Sequence, residues 1–206
     1  MKENGFITII DYGMGNLHSV KNALEHLNIP SKVSSDKADI LAAEKLILPG
    51  VGAFPDAMEA LSKGGLDKLI IEECKGGKPL LGICLGMQLL FEESLEFGNT
   101  QGLGLISGRV IPIDAHGLKI PHIGWNSLSI NKKSPVISNL NDGDYVYFVH
   151  SFRADTDSEN VIAYTHYGED IPAMVGRDDI PVFGAQFQPE KSHDTGLGII
   201  SAFAAL

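Results

Sequence analysis

The sequence predicts an α/β fold: an open, mostly parallel sheet flanked by helices, with a mixed or antiparallel extension. Two observations predict it. In the first half, short apolar runs rich in β-branched residues alternate with segments of helical periodicity, which is the pattern of βαβ units around a parallel sheet. In the second half, from Arg109 to Gly184, short strand-like runs follow one another with Gly, Asn, Asp and Pro between them, the pattern of antiparallel pairing.

The elements follow in order. Residues 6–11 (FITIID) read as a buried strand, and residues 16–27 carry Leu17, Val20, Leu24 and Leu27 on one helical stripe. Residues 45–48 read as a second buried strand ended by Pro49 and Gly50. Residues 54–61 and 66–74 read as helices divided by Gly64 and Gly65, and residues 78–83 as a strand feeding a helical pattern over 85–91. RVIPI (109–113), SLSI (127–130), YVYFV (145–149), VIAYT (161–165) and AMVG (173–176) read as the short strands of the extension. Residues 196–206, apolar and rich in small side chains, read as a closing helix. No internal repeat, linker or low-complexity stretch interrupts the chain, so residues 1–206 are expected to form a single domain.

Composition narrows the class. With 26 acidic and 16 basic side chains the formal charge is -10, which disfavours nucleic acid or an anionic membrane as partner because like charges repel. The longest apolar run near the N-terminus stops at Asp11, too short for a signal segment or a membrane span. Two cysteines, Cys74 and Cys84, are too few for a disulfide scaffold and fit a reducing cytoplasm. There is no metal-ligand spacing and no nucleotide fingerprint with its acidic partner, so neither metal nor cofactor is expected.

The densest chemical signal is the run LLGICLGMQLLF (80–91): a strand, then G-x-C-x-G, then a helical pattern. This is the cysteine form of the nucleophile elbow. Gly82 and Gly86 permit the tight turn, which places Cys84 at a helix N-terminus where the dipole favours thiolate, and leaves the Leu85 N–H facing an oxyanion. Cys74, on a helical stretch with no such turn, reads as structural. A second glycine turn, PGVGAF (49–54), has backbone N–H groups suited to an anion nest; an ordinary strand-to-helix loop is the plainer alternative. YGMGN (12–16) matches a phosphate loop only weakly.

GAQFQPEKS (184–192) resembles the Q-F-H-P-E-K-S block of class I glutamine amidotransferases, and with PGVGAF and GICLGMQLLF it gives three blocks in the family's order. DYGMGNLHSV (11–20), PHIGWN (121–126) and YFVHSF (147–152) are similar to the glutaminase subunits of imidazole glycerol phosphate synthases. The resemblance spans residues 6–205 and implies a flavodoxin-like amidotransferase fold with a Cys–His–Glu triad. It makes Cys84 the nucleophile toward the glutamine side-chain amide and Glu190 the group that orients the base. It makes the backbone of Val51 or Gly52, with Leu85, the oxyanion donors, and assigns Gly50, Gly52, Gln88, His150, Ser151 and Phe152 to glutamine binding.

The sequence departs from the family at one decisive place, where Gln188 stands for the triad histidine. Glutamine cannot carry a proton between nucleophile and leaving group, so pocket and fold are expected to survive while hydrolysis is impaired. None of the other histidines is expected to substitute: His150 belongs to the family's substrate wall, and His193 lies past the catalytic strand.

The resemblance further implies a (β/α)₈-barrel cyclase partner that receives the ammonia and makes imidazole glycerol phosphate and an aminoimidazole-carboxamide ribotide in histidine biosynthesis. Pro121, Trp125, Asn126 and Tyr147 match its interface segments, with Trp125 as the anchor; from composition alone Trp125 fits a core position equally well. Two alternatives stand beside this reading: a paralogous subunit serving another acceptor, such as a sugar, and a catalytically silent subunit that binds or regulates the barrel.

Overall fold

The computed structural model describes residues 5–206, so Met1–Asn4 of the expected domain lie outside the described residues. In the first half the elements are β1 (Ile7–Ile10), α1 (Leu17–His26), β2 (Ser31–Ser34), α2 (Lys37–Ala42), β3 (Lys45–Gly50), α3 (Phe54–Gly64), α4 (Leu66–Lys75), β4 (Leu80–Cys84) and the single turn α5 (Leu85–Gln88). In the second half they are β5 (Glu93–Ser94), β6 (Thr100–Gln101), β7 (Arg109–Pro112), β8 (His122–Ser127), β9 (Ser129–Ile130), β10 (Tyr145–His150), β11 (Phe152–Asp155), β12 (Val161–Tyr167), β13 (Glu169–Gly176), β14 (Val182–Ala185) and α6 (His193–Ala205).

The main sheet has eight strands in the order β2-β1-β3-β4-β14-β13-β12-β9. Its first five strands are parallel, and β13, β12 and β9 extend it antiparallel. Strands β1, β3, β4 and β14 are buried at every position, because helices cover both faces of a parallel sheet. Alternate residues of β3 divide between those faces: Leu46 and Leu48 pack with Phe54, Leu61 and Ile70 of α3 and α4, whereas Ile47 packs with Val20, Leu24 and Phe203 of α1 and α6. A ribbon of β8 and β10 and a smaller sheet β11-β7-β5-β6 complete the second half.

Three expectations are corrected. Strand β3 does not stop at Pro49: Pro49 and Gly50 pair with Ile83 and Cys84 in the ladder. The helical pattern over 85–91 yields only one turn, because residues 89–91 leave the helix and Phe91 O and Leu89 O close on Gly102 and its neighbours. SLSI does not form one strand, since Ser127 ends β8 and a separate β9 pairs with β12.

The parallel strands end together at Gly50 and Cys84, which face each other across the ladder. That carboxyl edge, where strands give way to loops, is where α/β sheets place their ligands.

Candidate active site

Cys84 is the last residue of β4 and adopts φ 56°, ψ -111°, a left-handed backbone that a non-glycine residue holds only at a cost of about 1–3 kcal/mol. The neighbouring glycines make the turn possible. A Cβ at Gly86 would stand 1.8 Å from Leu48 O, and one at Gly82 would stand 2.5 Å from Gly86 O, so the elbow touches β3 through bare backbone.

The elbow opens on a cavity of about 310 Å³. Cys84 and Gln188 line it together, with Val51, Gly52 and Leu85 on one side and Gln88 and the His150–Phe152 stretch on the other. Of the expected site residues, Gly50 stands behind this wall as the ladder partner of Cys84. Pro121 reaches the cavity rim, whereas Trp125, Asn126 and Tyr147 lie elsewhere on the β8–β10 ribbon. The 12–16 loop supports the site rather than forming one: the Tyr12 hydroxyl donates to Pro49 O at 3.0 Å, and Met14 packs under Gly52.

Hydrogen bonds fix the walls. The Gln88 amide donates to Phe152 O at 3.1 Å and to Gln186 Oε1 at 3.0 Å. The Gln188 N–H donates to Tyr147 O at 3.0 Å, while Ser192 Oγ donates to Gln188 O at 2.7 Å and accepts from the Tyr147 N–H at 3.0 Å. The segment carrying Gln188 and Glu190 is therefore stitched to the ribbon that carries His150.

The thiol differs from the sequence expectation of an activated thiolate. Burial pushes Cys84 up to about 11, against a favourable N–H from Leu85 and with the Glu190 carboxyl opposing ionisation. A one-turn helix has too small a dipole to offset that. The Gln188 side chain is within hydrogen-bonding reach of the sulfur but supplies no proton acceptor of useful basicity. Glu190 is pushed up to about 7, chiefly by burial. Its Oε2 and the Oε1 of Gln188 are both buried without a hydrogen-bond partner among the described residues.

Sequence reasoning missed Glu96. It is buried, lines the same cavity, and accepts the Phe54 N–H at 2.8 Å through Oε2. It is the only acidic side chain on the cavity wall among the described residues, and no spacing pattern marks it. The other cysteine, Cys74, is fully buried on α4 with its thiol pushed up to about 12, as a structural residue should be.

The β8–β10 ribbon and the residue pair before it expose large apolar side chains. Ile120, Ile123, Trp125 and Tyr145 all present large side chains to the surface, with Trp125 43% exposed, so it is not a core residue. Its indole stacks on the His193 ring at 5.0 Å and meets Tyr147 edge-on at 5.8 Å. His193 thus faces Trp125 at the start of α6 and does not line the cavity.

The family model for glutamine amidotransferase class-I matches residues 8–204. The chain belongs to the class I glutamine amidotransferase family. Among curated relatives, it is 50% identical over 201 residues to the imidazole glycerol phosphate synthase subunit HisH of Caldanaerobacter subterraneus subsp. tengcongensis, covering 97% of this chain and 98% of that protein. It is 52% identical over 198 residues to the same subunit of Lactococcus lactis, covering 96% of each. Solved structures share the fold: PurLQS from Thermotoga maritima superposes with a TM-score of 0.77 at 22% identity, covering 98% of both chains. A crystal structure of a glutamine amidotransferase superposes with a TM-score of 0.76 at 20% identity, covering 98% of this chain and 100% of the other. Among the described residues, no helix is long and apolar enough to cross a membrane.

Proposed function

We propose that this chain is the glutaminase subunit of an imidazole glycerol phosphate synthase, built to bind glutamine but impaired in hydrolysis because Gln188 occupies the place of the base. The observation that carries the reading is the pair of unpartnered oxygens, Gln188 Oε1 and Glu190 Oε2, beside a thiol held at about 11. The near-half identity to HisH subunits over the full chain supports the acceptor pathway, and the match over residues 8–204 supports a single domain.

The expected chemistry follows from the groups present. Glutamine enters with its side-chain amide at Cys84 and its charged end toward the 150–152 wall, where the Glu96 carboxylate complements the α-ammonium. The Cys84 sulfur attacks the amide carbon, and the oxyanion is met by backbone N–H groups at Leu85 and at Val51 or Gly52. The tetrahedral adduct must then gain a proton on nitrogen to release ammonia and leave a thioester, which water converts to glutamate. Gln188 can neither take the thiol proton nor deliver one to nitrogen. Loss of a triad member costs on the order of 10⁴–10⁶ in rate in comparable hydrolases.

The exposed aromatic and aliphatic patch of Ile123, Trp125 and Tyr145 beside the cavity supports a protein partner at this face, a (β/α)₈-barrel cyclase, with Trp125 as its anchor. A titration tests the reading. The chain should bind glutamine and form a one-to-one complex with the barrel synthase, with glutamate release near background. Release at about 10 s⁻¹, an ordinary enzymatic rate, would overturn the impairment. Absence of glutamine binding would overturn the substrate.

A further inference from the structure

A chain of side-chain hydrogen bonds runs from the β12 backbone to the elbow through two buried histidines. His166 O accepts from Asn126 Nδ2 at 3.1 Å, and Asn126 Oδ1 lies 2.9 Å from His122 Nε2. His122 Nδ1 lies 3.0 Å from His150 Nε2, and His150 Nδ1 lies 2.8 Å from Phe152 O. Phe152 O is also the acceptor for Gln88, at 3.1 Å. The chain therefore starts on β12, passes through β8 and β10, and ends on the helical turn that follows Cys84.

The hydrogens in this chain can be counted. Phe152 O can only accept, so His150 Nδ1 carries hydrogen. His166 O can only accept, so Asn126 turns its NH₂ that way and its oxygen toward His122, and His122 Nε2 also carries hydrogen. The contact between the two rings needs one more. That makes three hydrogens on four ring nitrogens, whereas two neutral imidazoles bring two. Rotating the Asn126 amide merely moves the conflict to His166 O. All four contacts are satisfied only when the pair holds one extra proton.

The surroundings say which ring holds it. The His122 ring is stacked between Tyr167, at 4.0 Å and 17°, and Phe148, at 4.9 Å and 21°, so both its faces meet aromatic π-systems that attract a cation. Burial opposes a charge on either ring: it pushes His150 down to about 4 and holds His122 below its ordinary value despite the Asn126 oxygen, so the proton on His122 rests on the hydrogen-bond count and the stacked rings against that burial. The titratable groups facing His122 are His150 from β10 and Tyr167 from β12, whose hydroxyl donates outward to Lys119 O at 2.7 Å. His166 on β12 turns its ring to the exposed Asp170 at 2.9 Å and offers His122 only the backbone carbonyl behind Asn126.

We propose that His122 is a positioning residue of the glutamine pocket, held as an imidazolium, and that it ties the 150–152 wall and Gln88 to strand β8. Its Nδ1–H fixes the neutral tautomer of His150, which in turn holds the Phe152 carbonyl where Gln88 also grips it. The effect on glutamine rests on the glutaminase reading above; the protonation state does not.

Nitrogen-15 NMR of the full chain, labelled at histidine, tests the proposal alongside calorimetric titration with glutamine. At pH 7 His122 should show two protonated ring nitrogens and His150 one, assigned by their loss in His122→Gln and His150→Gln. Asn126→Leu should strip the proton from His122 and weaken glutamine binding about tenfold, the loss of roughly one hydrogen bond. Asn126→Asp, which keeps an acceptor toward Nε2 and gives up only the donor to His166 O, should keep the His122 proton. A neutral His122 in the parent protein overturns the proposal. So does an Asn126→Leu variant that keeps its NMR fingerprint, loses the proton and binds glutamine as the parent does. Failure of the parent to bind glutamine at all overturns the substrate reading, and the ring-nitrogen spectra still decide the protonation.

Discussion

Replacing Glu190 by glutamine should stabilise the protein at alkaline pH and change little in acid. The Glu190 carboxyl is moved from 4.5 to about 7, mainly by burial, which outweighs its own backbone N–H and the Lys191 charge. A carboxyl whose folded value lies above its unfolded one is tolerated as the acid and opposed as the anion. Its contribution is therefore intact below about pH 4.5 and is lost progressively as pH rises to about 7, where the loss levels off. At about 1.4 kcal/mol per pH unit, the loss amounts to roughly 3 kcal/mol at most. Urea unfolding of the parent and of Glu190→Gln at pH 5 and pH 8 isolates this group, because all other titrations are shared. The stability difference should favour the variant by roughly 2–3 kcal/mol more at pH 8 than at pH 5. Equal differences at the two pH values would refute the idea that burial holds the Glu190 carboxyl above its ordinary value. In a Gln188→His background the sign should reverse near neutral pH, since an imidazolium beside Glu190 stabilises the anion.

The remaining expectations concern the elbow and its flank. Gly86→Ala sets a methyl 1.8 Å from Leu48 O and should cost about 3 kcal/mol or more in urea unfolding; an unchanged midpoint would contradict the close approach of α5 to β3. Alkylation of Cys84 should be slow at pH 7, where roughly one thiol in 10⁴ is ionised, and should climb about tenfold per pH unit up to about pH 10; a plateau near pH 8 would show an activated thiol instead. Trp125→Ala should leave glutamine binding intact and weaken the complex with the barrel synthase by about 2 kcal/mol, some 30-fold in Kd by calorimetry; unchanged affinity would remove Trp125 from the interface.

Much of the main sheet was legible because buried parallel strands are continuous apolar runs, as FITII, KLIL and LLGIC are. The edge strand β2 (SKVS) was not, since its exposed positions carry polar residues and no period-two pattern survives. Strand β8 (HIGWNS) escaped because its inward residue is a histidine sandwiched between rings, while its outward Ile123 and Trp125 are the apolar ones. Periodicity alone reads that inversion as noise.

For the site, Cys84 followed from a motif whose spacing the turn itself imposes, whereas Gln88 and the 150–152 wall followed from the family resemblance, and the structure brings them to one cavity. The state of the thiol did not follow, because burial is a tertiary property: the G-x-C-x-G pattern specifies a backbone and leaves open how much water reaches the sulfur. Glu96 reaches the cavity from the loop just after β5, outside the quoted motifs, anchored by the Phe54 N–H, and only the folded chain reveals it.

The proposed loss of hydrolysis rests on position 188. The measurement that tests it most directly is glutamate release by Gln188→His, assayed beside the parent with the barrel synthase present and saturating glutamine. A histidine there can take the Cys84 proton, give it to the departing nitrogen and satisfy Glu190, so the rate should rise by at least about 10² to 10⁴, the usual contribution of a general acid–base group. A rate no higher than the parent's, in a variant that still binds glutamine, would contradict the claim that the missing base is what silences the site.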